Sequence, residues 1–481
     1  MLDWLQPLRD ALSAIPHLML YLILLWVTYL VLLGGWIVLQ KREPAATLSW
    51  LLGLAALPYL GLLIYQVFGP QKLTRHRLRR RHHQLARDER HSASGGAECT
   101  ELAKLGQSMT DLPPSSAQSV RLLIDGAAAY DALIDDIGRA RQHVHLEYYI
   151  YEPDRTGTRL RDALVARARA GVSVRVLVDA VGSPNADARF FAPLTAVGGE
   201  FARFHPPRFG KIWTRTWINL RTHRKIAVID GRIGYTGGIN VTDDENDALR
   251  DDAYRDLHVR VDGDVVRMLQ VVFVEDWMYV THSRGIAAAL TRAAPSAMPG
   301  PVAAQVVPSG PDSSWEAIHR MQVSMIHAAR TRVWLITPYF VPGEAAMMAL
   351  TNAALGGLDV RVLVPRRGDS RLVTLAARSY FDELLNAGVK VYEYGPRLLH
   401  TKALLIDDHL AMLGTANFDN RSFRLNFEVA ILFNDATVAA ELAALTERYL
   451  TDAPRVRADR DRRLLRARLP EALARLGAPL L

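Results

Sequence analysis

The sequence predicts an α/β protein: two pseudo-symmetric lobes, each a mixed sheet flanked by helices, behind an N-terminal transmembrane helical hairpin. Three observations carry that expectation. Two stretches near the N-terminus, 18–39 and 45–68, contain no charged residue. Apolar strand patterns recur in the same order in both halves of the remaining chain. The pattern His-x-Lys-x4-Asp occurs twice, at His223, Lys225 and Asp230 and again at His400, Lys402 and Asp407.

The hairpin comes first. About 20 apolar residues span the hydrocarbon core of a bilayer, and both stretches are that long. Lys41, Arg42, Glu43 and Pro44 between them allow a tight return and nothing larger. Residues 1–70 therefore read as two membrane helices, about 18–39 and 45–68; a hairpin that dips in without spanning stays open as the alternative, because Pro58 would kink the second helix. A cleaved signal peptide fits poorly, because Asp3 and Asp10 offset Arg9 and a second apolar stretch follows. Basic residues crowd the far side of the second helix: Lys72, Arg75, Arg77, Arg79, Arg80, Arg81, Arg87 and Arg90. The positive-inside rule places that side, and the rest of the chain with it, in the cytoplasm. The same residues can hold the next domain to anionic headgroups.

Residues 71–118 read as this basic segment followed by a small, polar linker over 91–118. The lobes follow at 119–300 and 301–454, and a basic tail occupies 455–481. The duplication sets the lobe boundaries. HVHLEYYIYEP at 143–153 answers to RVWLITPYFVP at 332–342, and GVSVRVLVD at 171–179 to GLDVRVLVP at 357–365. VGGEFARF at 197–204 answers to NAGVKVYEY at 386–394. Apolar strands separated by helix-length segments argue α/β lobes with both sheet faces covered. The tail has eight Arg against three acids over 455–475, with interspersed Leu, and reads as a membrane-surface helix or a solvated terminal one.

Spacing within the motif is the sharpest signal. His223 precedes Asn240 by 17 residues and His400 precedes Asn417 by 17, while Gly237 and Gly414 each follow the motif Asp by seven. In extended chain, residues i and i+2 share a face, so each His and its Lys point together. Asp230 and Asp407 belong to the motif but fall at hairpin turns, where Asp is ordinarily structural. The two glycines are expected where backbone approaches a bound group.

Composition narrows the chemistry. The net charge of +8 favours an anionic partner. Cys99, the lone cysteine, excludes an internal disulfide and a thiolate metal cluster. Only seven of the 58 basic side chains are Lys, and two of those are Lys225 and Lys402. A compact ammonium, rather than the planar fork of Arg, is evidently wanted there. Two histidines, two lysines and two asparagines meeting at a pseudo-two-fold axis could exchange a phosphodiester without a metal. One imidazole attacks phosphorus, the other protonates the leaving oxygen, and Lys225, Lys402, Asn240 and Asn417 hold the non-bridging oxygens. A Zn²⁺ site using His223 and His400 is disfavoured by the neighbouring lysines. His82 and His83, in the basic stretch, read as solvated.

At these motifs the chain resembles the phospholipase D superfamily and, within it, the bacterial cardiolipin synthases. GTANFDNRSFRLNFEV at 414–429, PYFVP at 338–342, YRDLHVRV at 254–261 and the closing APLL at 478–481 carry the likeness further. The sequence departs from it at GGINVTDDEN, 237–246, where a Gly-Asp-Glu-Tyr-like continuation is usual. The resemblance implies an enzyme of the bacterial inner membrane that joins two phosphatidylglycerols into cardiolipin and free glycerol. It implies no metal and no nucleotide cofactor, and a carboxylate after each motif that orients the histidine, which Asp256 and Glu428 fit. Hydrolysis to phosphatidic acid is the alternative outcome of the same intermediate. A nuclease is disfavoured by the membrane hairpin, so no nucleic-acid partner is expected, and a catalytically dead scaffold is disfavoured by two intact motifs.

Overall fold

The structure, a computed structural model, describes residues 17–39, 44–57, 61, 97–206, 219–283, 285–288, 299–395, 397–460 and 463–478. The return loop at 40–43, Pro58, most of the second apolar stretch beyond residue 57, the basic residues 72–90 and the last three residues lie outside that description. The chain divides into two units, one holding the N-terminal apolar helices and the other the α/β body.

In the first unit, Leu18–Leu39 forms a single helix. Its surface is apolar and exposed along most of its length, including Met19, Leu32 and Leu39. Among the described residues it is the one helix long and apolar enough to cross a membrane. A shorter helix, Pro44–Ala56, follows. Ile37 and Leu54 are buried together, with Tyr29, Leu33, Trp50 and Leu51 against them.

Among the described residues the α/β body has 17 strands, numbered in chain order: β1 Ser115–Ala117, β2 Ser119–Ile124, β3 His143–Tyr148, β4 Ser173–Asp179, β5 Glu200–Phe204, β6 Ile226–Ile229, β7 Ile233–Gly237, β8 Leu257–Asp262, β9 Val302–Ser309, β10 Arg332–Ile336, β11 Phe340–Val341, β12 Asp359–Pro365, β13 Lys390–Tyr394, β14 Ala403–Ile406, β15 Leu410–Gly414, β16 Phe418–Asp419 and β17 Glu428–Asn434. Two large mixed sheets result, beside a two-stranded parallel pair of β11 with β16. The first runs β2-β8-β7-β6-β3-β4-β5 and the second β1-β9-β17-β15-β14-β10-β12-β13. Apart from β1, the orders correspond strand for strand. In the first sheet β3, β4 and β5 are parallel, as are β10, β12 and β13 in the second. The remaining pairs of the two large sheets are antiparallel. The repeated sequence segments supply corresponding strands.

Burial explains why β14 and β15 lack polar alternation, and it encloses the alternating His143, His145 and Glu147 of β3 as well. Every residue of β3 is buried, and so is every residue of β14 and β15, because helices cover both faces. The helix Arg155–Arg169 begins at Asp154, whose carboxylate accepts from Gly157 N at 2.9 Å. The helix Ala436–Thr451 begins at Asp435 in the same way, each cap satisfying an orphan N–H. Each sheet has its own apolar core.

Residues 97–117, expected as linker, are not one. Ala97–Thr110 is a helix that buries Leu102 and Met109 in the second core and packs the partly buried Leu105 against it, an i, i+3, i+7 stripe. β1 then adds to the edge of the second sheet beside β9. Small polar residues hid three apolar positions at helical spacing. The tail beyond 454 likewise contains a helix, Leu469–Leu476, with its inner face on the second core.

Candidate active site

Each motif occupies the start of a central hairpin strand. His223 and Lys225 lead into β6, and His400 and Lys402 lead into β14. The hairpins turn at Asp230 and Asp407, both in the left-handed region at φ 54° and 51°, which Asp tolerates better than most residues. The two aspartates stand about 16 Å of extended chain beyond their lysines. Asp230 accepts from the backbone N–H of Arg141, Gln142 and His143 at 2.7–2.9 Å. Asp407 accepts from the N–H of Arg330, Thr331 and Arg332 at 2.7–3.2 Å and from the Thr331 hydroxyl at 2.8 Å. Both carboxylates therefore lash the hairpin to the start of β3 or β10. Counted with the catalytic motif by sequence, Asp230 and Asp407 act instead as positioning residues, as their place at the hairpin turns implies.

The glycine expectation is also corrected. A Cβ on Gly237 would lie 2.5 Å from Leu257 O, and one on Gly414 would lie 2.4 Å from Val429 O. These glycines make room for the neighbouring strands, not for a bound group. Gly238 has the more direct link to the site, since a Cβ there would meet the Asp256 carboxylate at 2.1 Å.

The lobes meet at the histidines. His223 N donates to Phe427 O at 2.9 Å, and His400 N donates to Arg255 O at 2.8 Å. Each histidine loop thus runs beside the residue that precedes the other lobe's carboxylate. Sequence order suggests that Asp256 serves the first motif and Glu428 the second; the pairing is the reverse. His223 Nδ1 lies 3.0 Å from Glu428 Oε2, and His400 Nδ1 lies 2.6 Å from Asp256 Oδ2. Donation through Nδ1 leaves Nε2 of each ring for chemistry. Lys225 Nζ donates to His223 O at 2.9 Å, and Lys402 Nζ donates to His400 O, so each ammonium sits beside its own histidine. All four side chains are buried.

Electrostatics couples the two halves. Burial lowers the His223 pKa to about 4, with Glu428 pulling it up and Lys225 and Lys402 pushing it down. Burial and then Lys402 push His400 well down, while the Glu245 carboxylate works in the opposite direction. Lys225 falls to about 7 through burial and the facing Lys402, and burial lowers Lys402 too. Burial raises Asp256 to about 6 against the pull of Lys402. Burial also penalises the Glu428 carboxylate, yet His223, Lys225 and the Thr415 hydroxyl outweigh it and hold the group below the usual range. Two buried ammonium groups, both weakened by burial and Lys225 also by Lys402, form a site prepared for an anion.

The asparagines differ. Asn240 gives its N–H and one amide hydrogen to Glu245, at 2.9 and 2.7 Å, and its Oδ1 accepts from Ile150 N at 3.2 Å. Asn417 N donates to Ser422 Oγ at 3.2 Å, and its buried Oδ1 has no protein partner. Several contributors escaped the sequence reading. Glu245, five residues after Asn240 and inside the departing GGINVTDDEN stretch, is a buried carboxylate facing His400. Thr415, inside GTAN, donates to Glu428 Oε2 at 2.5 Å. Tyr149 packs edge-on against His223 with ring centroids 4.8 Å apart. Nothing short of the cross-lobe pairing could have singled these out.

Glu245, Asp256 and His400 bring ligand atoms within 4.8 Å of one another, the one grouping among the described residues with the makings of a cation site. Its donor set fits a dication poorly, because Lys225 and Lys402 act on it at close range and His400 Nδ1 is already engaged by Asp256.

A duplicated mixed-sheet frame with one His–Lys pair per lobe defines an enzyme of the phospholipase D type. A family profile described as "Cardiolipin synthase, PLD-like domain" matches residues 133–277 and 323–450. The chain is 37% identical to cardiolipin synthase 2 of Bacillus anthracis over 468 residues, 94% of this chain and 90% of that one. It is 39% identical to the cardiolipin synthase of Alkalihalophilus pseudofirmus over 428 residues, 85% of this chain and 83% of that one. The fold is shared with the crystal structure of phosphatidylserine synthase from Haemophilus influenzae, at TM-score 0.60 and 15% identity, covering 79% of this chain and all of that one. The chain belongs to the cardiolipin synthase family.

Proposed function

We infer that the protein is a membrane-bound phosphatidyltransferase that makes cardiolipin and glycerol from two phosphatidylglycerols through a phosphohistidine. The observation that carries this reading is the pair of buried histidines. Each has Nδ1 on a carboxylate of the opposite lobe, and each lies within electrostatic reach of the other lobe's lysine.

His223 is the nucleophile in this reading. Burial keeps it neutral at physiological pH, and an ionised Glu428 on Nδ1–H raises the electron density at Nε2. Attack of Nε2 on phosphorus forms the P–N bond and breaks the P–O bond to the glycerol headgroup. Protonated His400 donates its Nε2 proton to the departing glycerol oxygen. Glu245 favours that protonated form, and so does a bound phosphodiester anion. The terminal hydroxyl of a second phosphatidylglycerol then gives its proton to neutral His400 while its oxygen attacks phosphorus. The P–N bond breaks, cardiolipin leaves, and both histidines regain their starting states. Lys225 and Lys402 hold the non-bridging oxygens, and Asn417 with the second amide hydrogen of Asn240 completes the grip. No step calls for a metal or a nucleotide.

The domain reading is a membrane hairpin over 1–70, lobes over 119–300 and 301–454, and a basic tail. Supporting the hairpin are the length and apolar exposure of Leu18–Leu39 and the contact between Ile37 and Leu54. The basic residues at 72–90 support a cytoplasmic active site at the inner membrane. Incubation of the purified protein with phosphatidylglycerol alone tests the function. Cardiolipin with equimolar glycerol is expected; phosphatidic acid with glycerol would assign hydrolysis instead.

A further inference from the structure

The C-terminal helix carries a surface that the chemistry does not use. Leu464–Arg468 forms a π-helical turn that continues as the α-helix Leu469–Leu476. Its inner face is fixed. Glu471 receives Arg460 Nη1 and Nη2 at 2.9 and 3.0 Å, Ala474 and Ala478 enter the second core, and the Arg475 guanidinium lies 4.3 Å from the Tyr380 ring centre. Leu465, Leu469, Leu473 and Leu476 point the other way, spaced to share one stripe. They are 74%, 42%, 58% and 78% exposed. Exposed Arg466 and Arg468 flank the stripe. Apolar stripe, basic margins and a buried acid paired inward are the marks of a helix lying in a lipid interface.

Its place in the fold gives the stripe a purpose. Asn420 follows Asn417 by three residues, and its Nδ2 donates to Ala478 O at 3.1 Å, tying the end of the helix to the segment that carries the site. The helix also packs on Arg371–Arg378, the continuation of the loop that holds Asp369. Asp369 accepts from the Tyr339 hydroxyl and acts on Tyr254, whose ring centre is 5.7 Å from that of His400. Arg366, Arg367, Arg371 and Leu372 are exposed on this adjoining turn.

We propose that the C-terminal helix docks on an anionic bilayer, its leucine stripe entering the headgroup–acyl boundary, so that the mouth of the His223–His400 site opens at the lipid surface. The exposed arginines of the helix and the adjoining turn, Arg466, Arg468, Arg366, Arg367 and Arg371, outnumber Asp369, the one exposed acid among them, and so match anionic headgroups, while the leucine stripe matches the acyl boundary beneath. The proposal rests on the reading that the substrates are bilayer phospholipids.

Its test uses the full chain in vesicles of phosphatidylglycerol and phosphatidylcholine. A polarity-sensitive dye is attached at Leu473→Cys in a Cys99→Ser background. A blue-shifted dye that is quenched by lipid brominated high in the acyl chain, and shielded from aqueous iodide, is expected. A dye open to iodide overturns the proposal. A dye shielded from iodide and bromolipid alike puts a second protein copy on the helix and overturns it as well. In the triple variant Leu465→Asp, Leu469→Asp, Leu473→Asp, cardiolipin formation from vesicles should fall at least tenfold. Turnover of monomeric short-chain phosphatidylglycerol should stay within twofold of wild type. Unchanged rates on vesicles, or an equal loss on both substrates, would count against docking. If the wild-type chain makes no cardiolipin at all, the functional reading fails, while the dye measurement, which needs no turnover, still decides the docking.

Discussion

The two half-sites are built alike and charged differently. In both, a lysine sits on the carbonyl of its own histidine and a carboxylate from the opposite lobe holds Nδ1. They diverge at the fifth residue after the conserved-spacing asparagine. The second lobe places the neutral Ser422 there, on the N–H of Asn417. The first lobe places Glu245, whose carboxylate takes both the N–H and the amide of Asn240 and reaches toward His400. The carboxylates diverge too. Glu428 receives the Thr415 hydroxyl and the Asn426 amide, at 2.5 and 3.1 Å, and stays ionised. Asp256 receives Leu257 N at 2.7 Å, with Lys402 Nζ at 3.7 Å, and is pushed up to about 6. Duplication supplied two equivalent imidazoles; in the mechanism proposed above, the surrounding acids make one the nucleophile and the other the proton carrier.

Breaking the comparison outright has the largest effect. His223→Ala and His400→Ala should each lower cardiolipin formation by about 10³-fold or more, within the span attributed to acid–base groups and nucleophiles. Rapid quenching with labelled phosphatidylglycerol separates them: acid-labile label should collect on His400→Ala protein and be missing from His223→Ala. The reverse pattern would exchange the roles.

The crossed carboxylates come next. Glu428→Gln should slow formation of the labelled intermediate on the order of 10²-fold, while Asp256→Asn should slow glycerol release and acceptor attack. If Glu428→Gln instead left the His223 step intact, the cross-lobe pairing would not operate in turnover.

The lysines test whether charge alone suffices. Lys225→Arg and Lys402→Arg should retain folding yet lose at least about tenfold in rate, or ~1.4 kcal/mol of barrier, because a planar fork replaces a point charge. Lys→Met should cost more. The depressed pKa of Lys225 adds a pH signature. Its ammonium is present below a pH of about 7 and lost above it, so kcat/KM, which reports the free enzyme, should decline as pH rises through that value. The residual activity of Lys225→Arg should lack that decline, since Arg stays charged.

The smallest expected change sharpens the contrast rather than erasing it. Glu245→Gln removes a charge that favours protonated His400. The loss should be smaller than the about tenfold of the lysine variants, and it should grow at higher pH where the proton is scarcer. Ser422→Ala, at the matching place in the other lobe, should leave the pH profile unmoved.

Much of this was legible in the sequence because duplication turns weak signals into paired ones. The strands answered one another residue for residue, and equal spacing from His223 to Asn240 and from His400 to Asn417 singled out the reactive groups. Two kinds of fact were hidden. The first is whatever depends on how the lobes face each other: that Glu428 belongs to His223 and Asp256 to His400 lies in inter-lobe contacts 205 and 144 residues apart. The second is the work done by residues whose type suggests something else. Leu102, Leu105 and Met109 sit among small polar neighbours and so passed for linker. Glu245 lies in the stretch that departs from the family pattern and so drew no role, yet it is 1% exposed. Gly237 and Gly414 pointed toward a ligand when the close approach was to another strand.

The exchange of carboxylates between lobes also bears on ancestry. A lobe standing alone would carry a histidine and an acid held on opposite flanks, unable to meet. Two copies facing each other about a two-fold axis would complete both dyads at once, as an isologous contact does. A single-lobed progenitor with this geometry would therefore have worked as a homodimer, active only where its concentration favoured pairing. Fusion made the encounter intramolecular. It also released the two halves from identity, the condition under which Glu245 and Ser422 could become different residues.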